Sequence, residues 1–234
     1  MPSSALSAIL WFLLCISAIS QVSRQTERSD SSVCNGIQKG DIEQILEAGR
    51  SGDPSFISQL IAYRRKVGEH IEIHVARAIQ LALAKLAQPA ELQQIRCEFL
   101  FGSASMQYDA VDKLQYIAGW FSIEAFADVL DNPDYNRYRK MGQDSALAPL
   151  GWYAVRRLPS IIRDPPPIES GILLAGSERD LERQRKWKEW IRAHHDSLSK
   201  LPPDGTGVET SNEICQPVLE RDRTVDHEKV HNSP

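Results

Sequence analysis

AIQLALAKLAQPAELQQI, Ala78 to Ile95, and AVDKLQYIAGWFSIEAFADVL, Ala110 to Leu130, decide how this chain folds, because they are two copies of one helical unit. With Leu83 set on Leu114, Leu86 falls on Ile117, Ala87 on Ala118, Leu92 on Ile123 and Ile95 on Phe126. The step is constant, since 114 − 83 and 126 − 95 are both 31. A small-plus-apolar helix, a break and a second amphipathic helix recurring at one interval predict an α-solenoid, in which each unit covers the apolar face of its neighbour.

Working outward, helix starts repeat the same grammar. Asp41 and Gln44 have capping-box spacing before Ile42, Ile45 and Leu46. Asp53-Pro54 precedes Phe56, Ile57, Leu60 and Ile61, and Gln88-Pro89 precedes Leu92 and Ile95. In both, proline at the start of the helix gives up no needed donor. A looser step of 35 links Ile57 to Leu92 and Leu60 to Ile95. Ser122 is expected to cap a further helix carrying Ile123, Phe126, Val129 and Leu130. A third alanine-bearing helix is predicted from Leu147 to Leu158, with Leu114 to Leu150 and Ala118 to Ala154 both 36 apart. The polar loop Asn132 to Asp144 absorbs the extra length.

No stretch alternates with period two over a useful length, so the expected class is all-α. The predicted architecture is a short α-solenoid of about three helical hairpins in residues 40–163. A Pro-rich connector, 164–176, leads to a C-terminal helix, 177–200, started by Ser177 and Asp180. Trp187, Trp190, Ile191 and Leu198 share one stripe of that helix and suit a cap on the last repeat, while Glu182, Arg183, Lys186 and Glu189 are expected in water. Residues 21–39 are polar enough to be a disordered linker, and 201–234 poor enough in apolar side chains to be a flexible tail.

Ala5 to Ser20 is an uncharged apolar run, short for a membrane span, with Ala18 and Ser20 before Gln21 as small residues for cleavage. A signal peptide over 1–20 and an exported chain, periplasmic or secreted, are expected. The alternative is an N-terminal membrane anchor. Export leaves Cys34, Cys97 and Cys215, an odd count that permits one bridge, and the spacing does not say which. A net charge of −4 supplies no general field for nucleic acid or an acidic membrane surface, so neither is an expected partner.

LALAKLAQPAELQQI and KLQYIAGWFSIEAFADVL resemble HEAT-like repeats of bacterial type, in which a helix ending in an Ala-x-x-Leu-Gly-like run meets a short turn and a second apolar helix. The resemblance covers about Asp41 to Ile162. KWKEWIRAHH and the following LPPDGTGV are similar to the C-terminal portion of exported proteins of this type. Gln88 and Gly119 fill the turn positions unevenly, and the 132–144 loop is longer than the pattern. The resemblance implies a binding scaffold and names no ligand.

Little else in the sequence carries chemistry. His70 and His74 at i and i+4 could supply two zinc ligands from one helix face, a metal-dependent hydrolase being the alternative function, but the order is not HExxH and a full ligand set is not local. His194-His195-Asp196 suits a helix C-terminus electrostatically. No GxSxG, P-loop or dinucleotide fingerprint occurs, and no cofactor or catalytic residue is expected. The expected function is non-catalytic protein–protein binding through the repeat face. Its candidate contacts are Tyr116, Trp120, Trp152, Tyr153 and Arg156, since aromatics with arginine anchor interfaces.

Overall fold

The computed structural model describes residues 31–136, 139–141, 145–168 and 173–220, so the segment expected to be a signal peptide lies outside the described residues. Two compact units divide within one helix, at Ala82/Leu83. The fold is all-α, with a single two-stranded hairpin of three residues per strand among the described residues.

In the first unit, α1 (31–39) is followed by α2 (Ile42–Ser51), α3 (Ser55–Val67), a 3₁₀ turn (Gly68–His70) and the start of α4 (Ile73–Lys85). The linker expected at 21–39 is therefore corrected from residue 31 onward: α1 buries Val33 and Ile37, two apolar side chains one turn apart. It ends in a Schellman turn, with Gly40 N–H donating to Ile37 O, Asp41 N–H to Gly36 O, and Gly40 at φ +74°. A side chain at Gly40 would also meet the Tyr63 hydroxyl. Asp41 then caps α2 by accepting from Gln44 N–H at 3.1 Å, and Asp53 accepts from Ser55 N–H at 2.8 Å to open α3. Ile45, Ala48, Phe56, Leu60, Ala78 and Ile79 form the buried apolar set of this unit.

In the second unit, α5 (Pro89–Phe101), α6 (Ala104–Ile117), α7 (Gly119–Val129), β1 (Arg139–Met141), β2 (Ser145–Leu147), α8 (Leu150–Ile161), α9 (Glu178–Ala193), the short α10 (His195–Leu198) and α11 (212–220) follow in order. The 31-residue match places a helix break at equivalent residues. Ala87 and Ala118 are both non-glycine residues at positive φ, +59° and +54°. Each stands between a helix that has just ended and one about to begin, and Leu83, Leu86, Leu92 and Ile95 are as buried as their partners Leu114, Ile117, Ile123 and Phe126. Ser122 is not a cap: α7 starts three residues earlier, and the Ser122 hydroxyl lies buried in the helix with no hydrogen-bond partner among the described residues. The cap that periodicity did not reveal is Ser103, which accepts from Met106 N–H and starts α6 well before Ala110.

Neighbouring helices pack, and so do helices two places apart, α6 with α8 and α7 with α9. Three side-chain contacts join α6 to α8 at one spacing. Tyr108 meets Tyr153, Asp112 meets Arg157 at 2.7 Å and Gln115 meets Ser160 at 3.2 Å, each pair 45 residues apart. Contacts at constant offset define parallel, in-register helices, so α8 follows α6 at a step of about 45. The expected step of 36 fails, because it set Ala118 at a helix break on Ala154 inside a helix. The β1–β2 hairpin within the intervening segment, and a start at Leu150 in place of Leu147, account for the difference. Arg96 on α5 reaches Glu124 and Asp128, one turn apart on α7 and close to the position 31 residues on. Parallel equivalent helices with packed alternate partners are compatible with a helical repeat.

Helix α9 breaks this alternation. Its middle lies at the end of α7, where Lys188 Nζ donates to Leu130 O at 2.9 Å, and its C-terminal end lies at the start of α7, where His195 meets Trp120. It is therefore antiparallel to α7, a cap over the last helices with Trp187 and Ile191 buried in the main core. Arg183, expected in water, is buried instead. It pairs with Asp180 at 2.7 Å, and Asp180 also accepts from Gln184 and from Gly176 N–H.

The expected flexible tail is corrected for residues 201–220. Leu201 O and Pro203 O accept from Trp120 and Phe121 N–H, both at 2.9 Å, supplying the N-terminal acceptors that α7 lacks in its own sequence. Glu209 O accepts from Gln93 on α5, and Cys215 on α11 forms a disulfide with Cys97, both sulfurs fully buried. Among the described residues Cys34 is the remaining thiol.

Candidate functional site

The five predicted contact residues separate into three places. Tyr116 on α6 is half-buried against the main core. Trp120, at the start of α7, is 9% exposed with its ring edge against His195, centroids 5.0 Å apart. Trp152, Tyr153 and Arg156 form one cluster on α8, joined by a residue that sequence reasoning missed, Tyr108 on α6.

The cluster is a ladder of perpendicular rings. Tyr108 meets Tyr153 edge-on at 5.4 Å, Tyr153 meets Trp152 at 5.0 Å, and the Arg156 guanidinium lies 4.5 Å over the Trp152 ring. Edge-to-face pairs and a cation over indole are each favourable by about 0.5–1.5 kcal/mol. They hold four side chains in one arrangement. Trp152 is fixed further by its Nε1–H, which donates to Leu173 O at 3.0 Å. Burial raises the Tyr153 phenol above its ordinary range, with the neighbouring Tyr108 adding to the shift, so the hydroxyl stays protonated and neutral. Tyr108 is 42% exposed and Arg156 is exposed, so the ladder is open to solvent at both ends. The signal for Tyr108 was its place one turn before Asp112, on the stripe that faces α8, and it becomes visible only once the 45-residue register is known.

A second concave feature lies between α7 and α9. Trp120, Ala127, Asp128, Lys188, Ile191, Arg192 and His195 line a cleft of about 260 Å³.

The histidine pair does not form the predicted ligand face. His70 ends the 3₁₀ turn, Ile71 is extended at ψ 132°, and His74 is the second residue of α4, so no continuous helix carries both. Among the described residues no three His, Cys, Asp or Glu side chains converge on a metal position. No described helix is long and apolar enough to cross a membrane. No family model matches the chain, and neither a curated protein nor a solved structure matches it.

Proposed function

We propose that the protein is a non-catalytic binding scaffold of HEAT-like type, engaging another protein through the face that α6 and α8 share. The observation that carries this reading is the parallel, 45-residue register of α6 and α8, which sets Tyr108, Trp152, Tyr153 and Arg156 in an open, pre-arranged row. Side chains already held by one another lose little freedom on docking, and aromatic rings with arginine are the residue types that dominate binding energy. Export to the periplasm or the extracellular space belongs to the same proposal. It is supported by the apolar run Ala5 to Ser20 and by a buried Cys97–Cys215 bridge, which suits an oxidising compartment.

A photo-crosslinking residue placed at Tyr108 in the full chain, in its native host, tests the binding face. A discrete adduct that is lost on Trp152→Ala with Arg156→Ala, and absent when the crosslinker replaces Glu189 on α9, is expected. Equal adducts from both positions would remove the proposal. Mass spectrometry of the mature N-terminus checks export, a start near Gln21 being the expected result.

A further inference from the structure

We propose that the Cys97–Cys215 bridge is a redox-sensitive latch for α11 alone. Opened by a dithiol, it frees that helix and uncovers the edge of α5 and α6 at Cys97 and Met106, while residues 201–209 stay in place. The latch is independent of the α6–α8 face and of its role.

The C-terminal segment is fastened in two different ways. Its first part, residues 201–209, is held without the bridge. Leu201 O and Pro203 O accept from the first amides of α7, Gly205 lies against the Phe121 ring, Val208 packs on the main core and Glu209 O accepts from Gln93. The second part, α11, buries Cys215 and Leu219 and leaves six of its nine residues exposed. Those two side chains meet Cys97 and Met106 in a small apolar cluster distinct from the main core. Nor can α11 stand by itself. It is shorter than a helix needs to be in water, and Pro217 within it removes a backbone donor. With the bridge open, Leu219 and one small thiol are too little apolar burial to hold the helix against its conformational entropy.

The opening step is thiol–disulfide exchange. A thiolate of the dithiol attacks Sγ of Cys215 or Cys97, the S–S bond breaks, and the other cysteine leaves as a thiolate and takes up a proton. The reagent's second thiol then attacks the mixed disulfide. The dithiol departs as a disulfide, two electrons have passed to the bridge, and both cysteines are thiols. Both sulfurs are fully buried, so attack goes through fraying of α11, whose exposed residues outnumber its buried ones.

The test uses the full chain, folded and without denaturant, before and after dithiothreitol. Hydrogen exchange is followed by NMR, and alkylation of Cys97 by iodoacetamide is mapped by mass spectrometry. After reduction the α11 amides are expected to exchange within about tenfold of the unstructured-chain rate, and the Trp120 and Phe121 amides at least about 100-fold more slowly than that rate. Cys97 should be alkylated in the reduced chain alone. Cys215→Ser should give the reduced pattern without reductant, and Cys34→Ser, at a thiol outside the bridge, should leave both states as they are. A bridge that resists dithiothreitol in the folded protein, α11 amides that stay protected after reduction, or Trp120 and Phe121 amides that lose protection together with α11 would each overturn the proposal.

Discussion

The turns at Ala87 and Ala118 stand at equivalent places, 31 residues apart, and are built in two ways. The first is complete in itself. Gln88 N–H returns to Leu83 O, and Pro89 opens α5 at a position where a missing N–H costs nothing. The second has Gly119 where the first has Gln88, and its two leading amides are satisfied by carbonyls of residues 201 and 203. A repeated unit can keep its buried positions while one copy changes its turn and surrenders its own cap to a distant segment. The glycine is what permits this, because at φ +72° a Cβ there would stand 2.4 Å from Pro202 O.

Removing the bridge that fastens that segment is expected to have the largest effect. Replacing Cys97 and Cys215 together by Ser opens a loop closed across 118 residues and should lower stability by about 3–5 kcal/mol, read by denaturant unfolding. Next is the direct contrast between the two turns. Gly119→Ala should cost about 2–4 kcal/mol through the clash with Pro202 and the left-handed backbone, while Gln88→Ala at the equivalent place should change stability by no more than about 0.5 kcal/mol. Equal effects would show that the strap does not distinguish the copies.

Ala118 sits at φ +54°, ψ −159°, a region nearly restricted to glycine. Ala118→Gly should therefore stabilise by about 1 kcal/mol after the flexibility gained by the unfolded chain is subtracted, and Ala87→Gly should act in the same direction. The smallest effect concerns Asp128, where Arg96 ties α5 to α7. Burial raises this carboxyl and Arg96 opposes the rise. The native state then holds the proton more tightly than the unfolded chain, so stability falls as pH climbs from the ordinary aspartate range through the raised value. Asp128→Asn should flatten that slope, by less than about 1 kcal/mol because solvent reaches part of the carboxylate. Unfolding measured from pH 3 to pH 7 in both proteins checks the sign, with the range chosen about the usual carboxylate values.

What the sequence disclosed and what it withheld follow one boundary. Helices, the caps Asp41, Asp53 and Ser177, and the match of Leu83–Phe126 positions are set by neighbours within a few turns, and periodicity finds them. The partner of Cys97, the burial of Arg183, the reversal of α9 and the meeting of Tyr108 with Tyr153 depend on residues far along the chain. A 36-residue step looked as regular as the 31-residue one because alanine and leucine are common in helices. Only the contacts at 45 separate them. The same holds for the proposed binding face: Trp152, Tyr153 and Arg156 were visible as residue types, but which of the five candidates would be neighbours was not.

The borrowed cap of α7 has a consequence for how this molecule is made. Trp120 leaves the ribosome 81 residues ahead of Leu201, whose carbonyl it will need, so that helix waits for a segment made well after it before it has its acceptors. Chains terminated before Leu201 would carry a helix with bare amides.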